Sequence, residues 1–293
     1  MKILVVGSNG FLGREISRKL CDDGNSVHGL NRTIDSNVQI EQYVGDLTRP
    51  ESYREIISSL KPEIVIQSAW VTEQASYRKS ALNEAYSRST QEFAEYCFKA
   101  GTQHFIALGS CAEYGIPREP CNASSTRTNP IDEYGSSKLK TLEGLQELAS
   151  RYSSKLSWGR IFQPYGPNQD LARFVPTATR KLAAGESLKV NTPHFVLDWI
   201  SSRDVARAIA YTLSHDLPNV LDIGTSVGTS VHDVLKEIAE LLHVDPELIV
   251  LDNNEAISKI SQRLVVSKDS PLLADGWRPD DDLATGLRWA LSL

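Results

Sequence analysis

Tyr134 and Lys138 stand four residues apart in the string Tyr134-Gly-Ser-Ser-Lys138. On a helix that spacing puts both side chains on one face, one turn apart. An ammonium beside a phenol favours phenolate, which predicts a Tyr134 pKa below the ordinary value near ~10. A phenol tuned in that way gives and takes a proton at a carbonyl/alcohol pair. Alone, the spacing is common on surface helices and means little. Ser110 adds to it. It closes the apolar run His104-Phe-Ile-Ala-Leu-Gly109, so its hydroxyl is expected at a strand end, able to hydrogen-bond a carbonyl oxygen and turn it toward Tyr134. A strand-end serine more often only shapes a turn. The Glu113-Tyr-Gly115 that follows, and the Tyr/Lys pair downstream, favour the chemical role.

These groups need elements to hold them and a molecule to work on. Lys2–Val6 is a short apolar run suited to a parallel strand buried on both faces. Gly7-Ser-Asn-Gly-Phe-Leu-Gly13 follows, and then Arg14–Leu20 reads as a helix. Gly7 permits a tight turn, Gly10 lets backbone N–H groups approach a pyrophosphate, and Gly13 lets the helix pack close to the strand. Phosphates would face the positive end of that helix. Strand, glycine triplet and helix in this order predict a dinucleotide site at Gly7, Asn9, Gly10, Phe11, Leu12 and Gly13.

The pattern then alternates. Strands are expected at Lys2–Val6, Ser26–Leu30, Ile40–Val44, Glu63–Ser68, His104–Gly109 and Leu156–Ile161, and helices near Phe11–Cys21, Pro50–Leu60, Leu82–Ala100 and Asp132–Tyr152. Such alternation predicts an α/β fold, a doubly wound parallel (Rossmann) sheet with right-handed crossovers. Ligands bind beyond the carboxyl ends of such strands, where Gly7, Ala69 and Ser110 fall. After Ile161 the chain becomes punctuated by Pro and Gly. We expect a dinucleotide-binding domain over 1–163 and a smaller, mixed α/β substrate domain over 164–293. Segments near 198–224 would return to the first, both Asp198–Leu213 and Pro218–Gly224 being candidates for the main sheet. Thr229 or Ser230 is expected to cap a helix over Val231–Leu242.

Bulk properties bound the partners. The chain has 293 residues and a formal net charge of −6, which argues against nucleic acid or an anionic membrane surface. No apolar run approaches membrane-spanning length and no signal segment opens the chain. Cys21, Cys97, Cys111 and Cys121 show no C-x-x-C pairing, so free thiols in a reducing cytoplasm are expected. The six histidines are scattered, and no metal is expected.

The chain resembles extended short-chain dehydrogenase/reductases of the nucleotide-sugar epimerase/dehydratase/reductase family. The resemblance rests on Gly7–Gly13, Gly45-Asp-Leu47, Ser110-Cys-Ala-Glu-Tyr-Gly115, Tyr134–Lys138, Arg160-Ile-Phe-Gln-Pro-Tyr-Gly-Pro167, Asp198-Trp-Ile-Ser-Ser-Arg-Asp204 and Gly276-Trp-Arg-Pro279. It implies that Ser110 and Tyr134 contact the reacting oxygen and that Lys138 also holds the nicotinamide ribose. It implies further that Asp46 and Leu47 flank the adenine, that Ala69 lines the pyrophosphate, and that Phe162 and Gln163 border the nicotinamide and the sugar. Cys111, beside Ser110, would face the substrate. A homodimer through the helices near Leu82–Ala100 and Asp132–Tyr152 is implied as well.

Departures from the family pattern narrow the reading. An NAD site usually has an acidic residue at the end of the second strand; here stand Asn31 and Arg32, which suit the 2′-phosphate of NADPH through a charge-assisted bond. A 4,6-dehydratase carries Asp-Glu after its catalytic Ser/Thr, whereas Cys111-Ala112 cannot do that acid–base work. Leu197 replaces an arginine that clamps the substrate pyrophosphate, with Arg263 the foremost compensating residue and Arg173 and Arg180 behind it. NADP(H) is therefore the expected cofactor, with NAD(H) possible. The expected activity is reduction of a nucleotide-linked 4-keto-6-deoxyhexose, and the alternative is an NAD-dependent nucleotide-sugar 4-epimerase.

Overall fold

A computed structural model describes residues 1–71, 76–251 and 262–293. Its centre is a seven-stranded parallel sheet. The strands are β1 (Lys2–Val6), β2 (Ser26–Asn31), β3 (Glu41–Val44), β4 (Ile64–Gln67), β5 (His104–Ser110), β6 (Lys155–Ile161) and, later in the chain, β10 (Val220–Ile223). They lie in the order β10-β6-β5-β4-β1-β2-β3, and every pairing is parallel. The order reverses at β1, between β4 and β2, which opens a crevice at the carboxyl ends where such sheets take ligands.

The expected strands and helices are present with small shifts of boundary. α1 spans Phe11–Asp22, α2 Arg54–Leu60, α3 Leu82–Lys99 and α4 Glu133–Arg151. The helix expected over Pro50–Leu60 is divided: a 3-10 turn at Pro50–Ser52 precedes α2, with Tyr53 between them at φ −124°. Tyr53 leaves the helical path with its ring fully buried, edge-on to Phe93 at 4.9 Å.

Alternation along β1 shows why both faces must be covered. Ile3 and Val5 enter one core with Ile16 and Leu20 of α1 and with Val205 and Ile209. Leu4 and Val6 enter the other with Ile57, Phe93, Leu142 and Leu145 of α2, α3 and α4. Successive strand side chains point to opposite faces, so a strand this apolar is stable only between helix layers. Each such side chain, fully buried, contributes about 1.5–3 kcal/mol.

The rest of the chain builds a smaller mixed layer. β7 (Gln163–Tyr165), β9 (Val196–Ser201), β11 (Gly228–Ser230) and β13 (Arg263–Leu264) share one sheet, while β8 (Leu188–Val190) pairs with β12 (Ile249–Leu251). β11 runs antiparallel to β9, whereas β7 and β13 run parallel to it. Helices α5 (Phe174–Ala183) and α7 (Val231–Leu241) cover it, with a third apolar core between. Ser230 is the α7 cap, its hydroxyl accepting from the Asp233 N–H.

Of the two segments expected back at the main sheet, Pro218–Gly224 supplies β10, which pairs with β6. Asp198–Leu213 divides. Its strand β9 stays in the small sheet, and only α6 (Ser202–Tyr211) packs against α1. There β9 pairs with β7, β11 and β13, and Asp198 ties it back toward β10. Its buried carboxylate accepts from Thr225 N and Oγ1 (both 2.7 Å), Ser226 N (2.8 Å) and Val266 N (3.1 Å), joining β9 to the turn after β10 and to the segment after β13.

Candidate active site

The glycine loop is closed by backbone packing. A Cβ on Gly13 would collide with the Gly7 carbonyl oxygen, and Gly7 itself takes φ +81°. Gly10 starts α1 with no side-chain cap, leaving the first N–H groups of the helix to an external acceptor. Phe11 and Leu12 form the first turn behind it. Asn9 donates through Nδ2 to Thr33 O at 2.8 Å, while its buried Oδ1 has no hydrogen-bond partner among the described residues. An orphaned acceptor and an uncapped helix end fit a phosphate-bearing dinucleotide with ribose hydroxyls to donate.

At the end of β2 the two residues in question face different ways. The Asn31 carboxamide turns inward: Oδ1 accepts from Asn9 N (3.1 Å) and Nδ2 donates to Ser8 Oγ (2.8 Å). It braces the loop from within. Arg32 is exposed. Its charge acts on Asp46: burial raises the Asp46 pKa, but hydrogen bonds from Thr48 and the charges of Arg32 and Arg49 outweigh this and hold it below the usual carboxylate range. Leu47 and Phe162 are different from their neighbours. Leu47 is in the core with Leu30 and Tyr53, and Phe162 is buried beside Tyr114, so neither side chain is open to a ligand. Ala69 follows β4, with its backbone nitrogen 3.1 Å from where a Gly7 Cβ would be.

Ser110 ends β5 and caps a 3-10 turn over Cys111–Tyr114. Its Oγ accepts from Ala112 N at 3.1 Å, and its own N–H donates to Glu113 Oε1 at 2.8 Å. Tyr134 lies in the first turn of α4, whose cap Asp132 accepts from Gly135 N at 2.7 Å. Gly135 packs on the Ala112 carbonyl, where a Cβ would lie 2.7 Å away. That close approach brings the start of α4, and with it Tyr134, to the Ser110 turn, where the Ser110 hydroxyl favours the phenolate form of Tyr134.

Lys138 is buried one turn on. Its Nζ donates to Leu108 O at 2.7 Å and lies 5.8 Å from the Tyr134 ring centre. The lowered phenol expected from the Tyr/Lys spacing is not what results. Burial dominates and pushes the Tyr134 pKa above its ordinary value, with the Ser110 hydrogen bond opposing. Lys138 is pushed down to about 7, again by burial, with the Glu113 charge opposing. Desolvation outweighs proximity because both groups are enclosed, and the ammonium is directed at a carbonyl rather than at the phenol oxygen.

Gln163 Nε2 reaches Cys111 Sγ at 3.9 Å, so these two residues expected to border the sugar are together. Burial pushes the Cys111 thiol up to about 12, against the Arg78 charge, so it stays protonated. Leu197 and Arg263 sit in adjoining strands, with Arg263 paired to Val196 in register and exposed. Three side chains that spacing does not reveal join them. Tyr77 meets the Tyr134 ring edge-on at 5.0 Å, and Arg78 pairs with Asp132 at 2.5 Å. Arg160, buried in β6, pairs with Glu113 at 2.7 Å. Arg160 had a signal: an arginine inside an apolar strand calls for a buried partner.

The chain is similar to known proteins in sequence and in fold. The family model described as NAD dependent epimerase/dehydratase family matches residues 3–224. A UDP-glucose 4-epimerase of Lactobacillus helveticus is 22% identical, over 99% of this chain and 97% of the relative. A dTDP-4-dehydrorhamnose reductase of Escherichia coli (strain K12) is 24% identical over 67% of this chain and 61% of its own. Among solved structures, the Thermus thermophilus UDP-glucose 4-epimerase in complex with NAD superposes with a TM-score of 0.87 at 23% identity, covering 100% of this chain and 98% of that one.

Proposed function

This chain belongs to the NAD dependent epimerase/dehydratase family, and from that premise we propose that it reduces the keto carbon of a nucleotide-linked 4-keto-6-deoxyhexose, with NADPH as reductant. The observation that carries the reading is the meeting of Ser110, Tyr134 and Lys138 at the carboxyl edge of the sheet, beside the glycine loop. Gly7, Asn9, Gly10 and Gly13, with the start of α1, would hold the diphosphate. Asp46 and the backbone at Leu47 would flank the adenine, Ala69 the diphosphate, and the backbone at Phe162 the nicotinamide. A nicotinamide dinucleotide bound there supplies the hydride to the sugar carbon.

The chain's own groups do the rest. Tyr134, kept protonated by burial, gives its proton to the oxygen that develops negative charge. Ser110, its acceptor lone pair engaged by Ala112 N, donates to the same oxygen. Lys138 grips the ribose and supplies positive charge behind the phenol. Gln163 and Cys111 border the sugar, and Arg263 meets the nucleotide diphosphate in place of the arginine that Leu197 supplants. Cys111 and Ala112 offer no carboxylate for an elimination, which disfavours a dehydratase.

The proposed preference for NADPH draws its support from β2: Asn31 is consumed by the loop while Arg32 is exposed, where a 2′-phosphate could reach it. The reading includes a division near residue 163, a homodimer through α3 and α4, and a cytoplasmic setting that suits four free cysteines. Among the described residues no helix is long and apolar enough to cross a membrane.

A second reading, NAD-dependent 4-epimerisation, is favoured by relatives of that name that match nearly end to end. One experiment separates them. The purified chain is inspected for copurified nicotinamide, titrated with NADPH and NADH, and incubated with dTDP-4-dehydrorhamnose plus NADPH or with UDP-glucose plus NAD. Net oxidation of NADPH supports the reductase. Tightly held NAD with interconversion of UDP-sugars, and no net oxidation, replaces it with the epimerase.

A further inference from the structure

We propose that Glu113 is a positioning residue that acts on the reaction through Ser110. The inference rests on the reading that Ser110 contacts the reacting oxygen. Glu113 is fully buried, and its carboxylate is held from two sides: Trp158 Nε1 donates at 3.0 and 3.2 Å, and Arg160 Nε donates at 2.7 Å. The same carboxylate accepts the Ser110 N–H at 2.8 Å. Arg160 Nη1 donates to Tyr114 OH (2.9 Å), which donates to Asp222 Oδ1 (2.7 Å), whose Oδ2 accepts from Ser270 Oγ (2.8 Å). The turn Cys111–Tyr114 is thereby tied to β6, β10 and the segment after β13.

What this frame fixes is the hydroxyl. With the turn held, Ala112 N–H occupies one lone pair of Ser110 Oγ, so the O–H points away from the turn and acts as a donor. A buried ion pair is a poor device for stability, since apolar residues of equal volume usually serve as well or better. Here it is retained at a cost in backbone freedom. A Cβ on Gly109 would collide with the Trp158 indole nitrogen and lie 2.6 Å from Glu113 Oε1. The Glu113 charge also reaches Lys138, where it opposes the effect of burial.

The test is a double-mutant cycle of Glu113→Gln and Ser110→Ala in the full chain. Turnover is measured with dTDP-4-dehydrorhamnose and NADPH, or with UDP-glucose and NAD. Glu113→Gln is expected to lower kcat ~10- to 100-fold with KM little changed, as small misplacements of a reacting group do. Combined with Ser110→Ala it should cost nothing further. Its pH profile should move to lower pH where Lys138 titrates, which a merely structural lesion would not produce. Hydrogen exchange at the Ala112 amide should quicken without any substrate present. Equal factors in both backgrounds, or unchanged Ala112 protection, would overturn the proposal. A normal Ser110→Ala enzyme would sink the Ser110 assignment itself, and an impaired one beside a normal Glu113→Gln would sink only the role of Glu113. Should the Gln variant not fold, Glu113→Asp, which keeps the charge and shortens the reach, runs the same cycle.

Discussion

The Lys138 ammonium lies 3.6 Å from the centre of the Trp70 ring, well nearer than to Tyr134. Trp70 is fixed there by its Nε1, which donates to Asn83 Oδ1 at 2.9 Å. A cation over an aromatic face gains about 0.5–2 kcal/mol, yet burial still brings Lys138 down to about 7. Near neutral pH this lysine is poised between its two charge states.

Stability should therefore respond to pH through Lys138. Its folded pKa is near 7, whereas an unfolded lysine titrates near ~10.4. Between those values the unfolded chain binds the extra proton, so this group makes stability rise with pH over that window. A Lys138→Met variant should melt several degrees above the parent at and below pH ~7, with the gap closing toward pH ~10. Melting curves across pH decide it, and a gap that does not change with pH rules the assignment out.

Tyr134→Phe should keep cofactor affinity and lose kcat by ~100-fold to 10,000-fold, the range of a removed general acid. Fluorescence titration with reduced nicotinamide, beside steady-state turnover, separates binding from chemistry. Near-normal turnover would remove Tyr134 from the mechanism.

Arg32→Ala should weaken NADPH by about 10- to 100-fold, the value of a charge-assisted hydrogen bond, and leave NADH little changed. An equal loss for both dinucleotides would mean that Arg32 does not meet a 2′-phosphate.

Gly109→Ala should cost about 1–3 kcal/mol or more, as overpacking does, because the added methyl displaces Trp158 or Glu113. It should also impair turnover beyond its effect on cofactor binding, since both neighbours hold the Ser110 turn. Denaturant unfolding with parallel kinetics checks the two effects. A variant of parental stability would show that the frame yields at no cost.

Much of this molecule was legible one residue at a time. The apolar run of β1, the glycine loop, α1 and the Tyr134/Lys138 spacing are local patterns, set by periodicity and by what a backbone without Cβ permits. They suffice for a parallel sheet with a dinucleotide crevice. The helix break at Tyr53 was not legible, because it follows from a ring burying itself against Phe93 of another helix. Nor was the sheet joined by β9, which pairs with strands as distant as β13, or its Asp198 bonds to residues 27, 28 and 68 positions away. The Glu113–Arg160 pair joins residues 47 apart, and Tyr114 meets Asp222 across 108. Spacing placed a phenol near an ammonium. Only the folded surroundings decided the direction of their pKa values, because desolvation depends on every neighbour and not on the intervening three residues.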